Sequence, residues 1–184
     1  MKGELILDGE YLYRYIKPNS FPEDQIEVPH SIFANDKEMS CDWAKIQSYP
    51  EYSYHITEGK NLILRISVCD DIRNPCNPKV PEVPQPQWHQ DIIHDPIAKG
   101  EDLTHPDVPN PSHSLIRGEK KIHVTKAIAR NCEKFKTVDP QNLPPLVQPS
   151  VSSSAMSPIK FFPALILALF IIGLIALLLY LSFI

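Results

Sequence analysis

The chain has 184 residues, a formal net charge of −4 and 43% hydrophobic residues. That balance argues against a nucleic-acid-binding protein, and 6 glycines without a GxGxxG or GKS context argue against a phosphate-cradling loop. Four cysteines at irregular spacing read as free thiols, and the gap from Cys69 to Cys76 is too wide for a zinc pair, so no metal and no cofactor is predicted.

In chain order, Leu5–Leu7 is a short apolar run stopped by the turn dipeptide Asp8-Gly9, and aromatic-rich Tyr11–Ile16 predicts a strand closed by Lys17-Pro18. Prolines and acids make 19–30 a loop. Ser31–Phe33 begins a short helical turn, Met39–Ile46 carries Trp43 as a core anchor, and Pro50-Glu51 opens one or two further helical turns. Asn61–Cys69 is the clearest strand, because Leu62, Leu64, Ile66 and Val68 alternate with Ile63, Arg65 and Ser67; it is the expected sheet centre. The proline patch Asn74–Gln87 predicts a surface excursion rather than a strand, since proline cannot donate to a central ladder. Trp88–Ile93 and His113–Arg117 are further strands, the second closed by Gly118. After it, Val124, Ala127, Ile128, Cys132 and Phe135 recur at helical spacing and predict one amphipathic helix with a basic outer face. Short strands with a few helices make residues 1–136 an α+β domain on a small mixed sheet.

Residues 137–160 are rich in proline and serine and read as a disordered or semi-extended stalk. Residues 161–184 contain no charge and no polar face. As a helix they would reach roughly 36 Å, enough to cross a bilayer core of about 30 Å. The expected architecture is therefore a single-pass tail anchor with the lipid bilayer as partner. Lys160 beside the span and the lack of a signal-peptide pattern at the front put the domain in the cytoplasm. Charge is segregated: Arg117, Lys120, Lys121, Lys126, Arg130, Lys134 and Lys136 face only Glu119 and Glu133 within 117–136, in an otherwise acidic domain. This segment is a candidate surface for anionic lipid or an acidic protein, with a solvated helix face as the plainer alternative.

Chemistry concentrates at two strand ends. The run Asn110-Pro111-Ser112-His113-Ser114 puts His113 where a proline-rich loop meets a strand, with a hydroxyl on each side; His94-Asp95 precedes Pro96 at a similar junction. If the two strands pair, His113 and His94 are expected to converge with Asp95 as orienting acid, an arrangement suited to general acid/base chemistry. Arg14 could clamp a phosphate or carboxylate through its planar fork. The plainer readings are a loop-corner His113 bonded to backbone and an Arg14 whose stem packs on Tyr11 or Tyr13. GxSxG, HExxH and paired CxxC motifs are absent from the sequence.

Leu12-Tyr13-Arg14 with Ile16, Ser31 with Phe33, His94-Asp95-Pro96, and the NPSHS run with Ile116 and Gly118 resemble a group of small uncharacterised bacterial proteins with an LYR…HDP…NPxHxxIxG pattern. The resemblance covers most of residues 11–132 and implies a bacterial source and one domain; it carries no activity. The leading expectation is a tail-anchored protein whose domain is an interaction or adaptor module. The competing ones are a membrane-tethered hydrolase or transferase using His113, His94, Asp95 and Arg14, and a defence or toxin-type effector acting on the membrane.

Overall fold

Alternation of apolar and polar residues along successive short segments makes strands with one face to bury, and antiparallel pairing of those strands builds the domain. A computed structural model describes residues 1–22, 24–77 and 79–142. The strands are β1 (Glu4–Leu5), β2 (Tyr11–Ile16), β3 (Glu38–Trp43), β4 (Leu62–Ser67), β5 (Cys76–Asn77), β6 (Val80–Pro84), β7 (Asp91–His94), β8 (His113–Arg117) and β9 (Cys132–Thr137). The helices are α1 (Tyr54–Thr57), α2 (Asp70–Arg73) and α3 (Ile122–Arg130). Seven strands form one sheet in the order β1-β7-β8-β3-β2-β4-β9, and β5-β6 is a separate two-stranded ribbon. The α+β class is as expected. The sheet, though, is antiparallel at every pairing rather than mixed.

One face of the sheet is oily. Leu12, Met39, Cys41, Trp43, Leu64, Ile66, Ile92 and Ile116 pack with Val124 and Ile128 of α3, Ile72 of α2 and Phe33 of the His30–Phe33 turn. Each such aliphatic contributes about 1.5–3 kcal/mol when fully removed from water. The other face has a smaller apolar cluster of Tyr13, Tyr15, Ile56, Ile63 and Val138. Beside it lies a polar area that includes Asp42 and His113, both buried.

Three expectations are corrected. β4 is one strand in from the edge, and β3 is the middle strand; both faces of β4 are buried because the second apolar cluster covers Ile63, which imitates a central position. The predicted single helix ends at Arg130, where the Asn131 N–H donates to the carbonyls of Ala127 (3.3 Å) and Ile128 (3.1 Å), and Cys132–Thr137 turns back as β9 beside β4. Cys132 and Phe135 fit helical spacing, but CEKFKT also fits a strand, and the Arg65 Nε bond to Glu133 Oε1 at 2.6 Å fastens that choice. The proline patch does contain strand: β5 and β6 pair outside the main sheet, where a ribbon edge tolerates proline.

The basic segment is largely neutralised. Arg117 pairs with Glu38 at 2.9 Å, Arg130 with Asp71 at 3.0 Å, Lys136 with Glu51 at 3.5 Å and Lys121 with Glu119 at 3.8 Å, while Lys120 is buried. No helix among the described residues is long and apolar enough to cross a membrane. The expected span 161–184 and the linker beyond Asn142 lie outside the described residues.

Candidate functional site

The NPSHS run is locked from its first residue. Asn110 Nδ2 donates to Asp42 Oδ1 at 2.7 Å, and Asn110 Oδ1 accepts the N–H and Oγ–H of Ser112 at 3.1 and 2.8 Å. Ser53 Oγ donates to the other Asp42 oxygen at 3.1 Å. The backbones of Ile97 and Asn110 exchange two bonds of 2.9 Å and close the loop between β7 and β8 into a knot of buried polar groups. Ser114 Oγ donates to the Ser112 carbonyl at 3.0 Å. Both hydroxyls flanking His113 are therefore used up in holding the loop. Tyr15 turns its hydroxyl into the same knot beside Asp42 and Ser53 without closing a hydrogen bond, and burial pushes its ionisation well above the ordinary phenol value.

His113 enters β8 opposite Asp42 of β3. Period-two alternation puts the residue two positions away on β3, Ser40, on the same face as its diagonal neighbour. Ser40 Oγ lies 2.8 Å from His113 Nε2, and His113 Nδ1 lies 2.7 Å from the Asp95 carbonyl oxygen. A carbonyl only accepts, so Nδ1 carries the ring hydrogen in the neutral imidazole and Nε2 presents a lone pair to the serine hydroxyl. Asp95 Oδ2 stands 3.9 Å from the same Nδ1. This is the tautomer and order of contacts by which a base activates an alcohol nucleophile.

The pair opens on a cleft of about 700 Å³ lined by Lys2, Ser40, Tyr54, Asp95, Ile97, Glu101, Asp102, Leu103, Thr104 and His113. Its rim is the loop between β7 and β8, fastened where His105 Nε2 meets Glu58 Oε1 at 2.5 Å and where the His105 ring lies 5.2 Å from that of Tyr54. Glu58 is also held by Lys60 (3.0 Å) and His55 (3.3 Å). On the far side the amino-terminal segment is pinned by the Gly3 N–H bond to the His94 carbonyl at 2.7 Å, which brings Lys2 over the cleft. No protein family, curated protein or solved structure matches this chain.

Of the four residues expected to act together, His113 and Asp95 meet, and His94 and Arg14 do not join them in the cleft. His94 pairs with Ser114, one register step from His113, so its side chain points through to the opposite face. There its Nε2 donates to the Pro111 carbonyl at 2.7 Å and its ring packs 5.2 Å from Trp43. Arg14 sits on β2, an interior strand, with Nη2 on Asp36 Oδ2 at 2.8 Å and Nη1 on the Ser40 carbonyl at 2.6 Å. It braces Ser40 from behind instead of meeting a ligand. Ser40 itself was not among the expected residues. It lies 73 positions before His113, and only the register of two strands distant in sequence joins them.

Charge in the cleft is mostly negative. The Ala98 N–H and then Lys2 hold the Glu101 carboxyl below its usual range, and the Thr104 N–H holds Asp102 below its own. Burial, followed by the nearby Asp102 charge, pushes the Tyr54 phenol up to about 12. Cys41, next to Ser40, faces the oily side of the sheet, and burial pushes its thiol up to about 12, so it supplies no thiolate. Among the described residues no group of three or more histidine, cysteine or acidic side chains is placed to hold a metal ion.

Proposed function

We propose that this chain is a membrane-tethered acyl hydrolase in which Ser40 is the nucleophile and His113 the general base and acid. The observation that carries the reading is the 2.8 Å approach of Ser40 Oγ to His113 Nε2 in an open cleft, with Nδ1–H committed to Asp95. In the first half-reaction Ser40 Oγ attacks the carbonyl carbon of an ester, its proton passes to Nε2, and the carbonyl π electrons move onto oxygen. Collapse of that intermediate breaks the bond to the leaving alcohol, which takes the proton from Nε2. Water then attacks the acyl-serine, gives a proton to Nε2, and releases the carboxylic acid as Ser40 recovers its hydrogen. Base assistance of this kind contributes about 10²–10⁴ in rate. The Asp95 main-chain carbonyl keeps the imidazole oriented, and the Asp95 carboxylate, 3.9 Å from Nδ1, lies near the imidazolium that forms.

The uncharged stretch 161–184 supports the tether, and Lys160 beside it favours the cytoplasmic side for the domain. An adaptor would be tethered equally well, but it has no use for an alcohol and an imidazole arranged in this tautomer. The ion pairs along 117–136 weaken the case for that segment as a lipid-binding surface. The test is turnover of short-chain nitrophenyl esters by the full-length protein in detergent. Ser40→Ala and His113→Ala are each expected to lose a hundredfold or more, with unchanged far-UV circular dichroism. Wild-type turnover by Ser40→Ala would overturn the assignment.

A further inference from the structure

The chemistry of the cleft wall says what kind of ester fits it. Four charged side chains line it: Lys2 against Asp95, Glu101 and Asp102. The single ammonium is shared, with Lys2 Nζ 3.7 Å from Asp95 Oδ1 and 3.6 Å from Glu101 Oε2. Asp102 has no such partner among the described residues. Its Oδ1 accepts the N–H groups of Thr104 at 2.8 Å and His105 at 3.3 Å, which fix the carboxylate in place without neutralising it. Tyr54 also lines the cleft, with its ring 4.0 Å from that of His55 and 5.2 Å from that of His105. Three carboxylates against one ammonium leave the cleft net negative, which is complementary to a cation.

We infer that this cleft selects substrates that carry a cationic group, an ammonium or guanidinium, close to the acyl bond, with Asp102, the carboxylate that Lys2 does not pair with, as the residue that recognises it. The inference rests on the hydrolase reading and adds the substrate class to it. An anionic ester meets net repulsion from the same wall. Because the carboxylates are solvated, the discrimination is sensitive to salt.

The experiment compares three nitrophenyl esters of equal chain length, ending in trimethylammonium, methyl or carboxylate, on the full-length protein in detergent and on its Ser40→Ala variant. At low salt the cationic ester is expected to exceed the anionic one by about tenfold in kcat/KM, with the neutral ester between them and the ratio shrinking in 0.5 M NaCl. Asp102→Asn is expected to cut the cationic-to-anionic ratio about threefold or more. Ser40-dependent turnover without this charge order overturns the inference alone. Failure of all three esters to show Ser40-dependent turnover overturns the hydrolase reading and the inference with it.

Discussion

Lys120 is 7% exposed, and its ammonium donates to Gln90 Oε1 (2.8 Å) and to the carbonyls of Ile116 (2.8 Å) and Gly118 (3.0 Å). Three oxygens satisfy its hydrogens, yet burial still pushes its pKa down to about 8. The folded value lies below the unfolded one, so between them the unfolded chain binds more protons at this group, which contributes a rise of stability with pH. Below about pH 8 the cost of the buried charge is fully present. Lys120→Met is therefore expected to lower the slope of unfolding free energy against pH between 8 and 10, by an amount on the order of 2 kcal/mol over that window. Urea titrations at those pH values check this, and equal slopes for variant and wild type would contradict it. Burial raises the Cys41 and Cys132 thiols, which act in the opposite sense from about pH 9, and the Tyr13, Tyr15 and Tyr54 phenols, which do so above pH 10; variant and wild type share these groups, so the difference between their slopes reports Lys120. At this scale the sequence marks His113 and Asp95, because a histidine after a proline-rich loop and an acid before a proline sit at strand ends. It leaves Ser40 unmarked, since nothing in MSCDW distinguishes a hydroxyl facing a cleft from one facing water.

The helices and strands follow local patterns closely where one pattern is available, as in Tyr11–Ile16 and His113–Arg117. They depart where two patterns overlap, as in the stretch through Cys132 and Phe135, which satisfies helix and strand spacing alike and is decided by pairing with β4. Convergence of His94 on His113 fails for a related reason: whether two strand residues share a face depends on a register that the sequence does not display. Gly118 ends β8 for a reason that is visible. Its φ of +144° is one that side chains rarely adopt, and a Cβ there would lie 2.7 Å from the His89 carbonyl and 2.6 Å from Gln90 Nε2. Gln90 is fully buried and donates to the Trp88, His89 and Glu119 carbonyls. Gly118→Ala is accordingly expected to destabilise the domain by about 2 kcal/mol or more, seen as a fall of about 5 °C or more in Tm. A variant melting with the wild type would show that this corner yields without cost.

For the molecule as a whole, an antiparallel sheet with helices over its oily face leaves the opposite face free to carry polar chemistry. The Ser40–His113 pair occupies that second face, beside the apolar cluster around Ile63 and beneath the loop that β7 and β8 hold between them. The α+β class was legible from the spacing of short strands and helices, and the strand order was not, because antiparallel strands distant in sequence pair through contacts that leave no local mark. The reading joins this site to the uncharged 161–184 stretch as a reactive domain on a tether. One measurement tests both parts. Membranes from cells expressing the full-length chain, and the same cells expressing a chain truncated before Phe161, are treated with a fluorophosphonate, and the peptide containing Ser40 is analysed by mass spectrometry. The account predicts a phosphonate adduct on Ser40, lost in His113→Ala, in the membrane fraction for the full chain and in the soluble fraction for the truncated one. An unmodified Ser40 in a folded protein would contradict the chemistry, and a full-length chain found in the soluble fraction would contradict the tether.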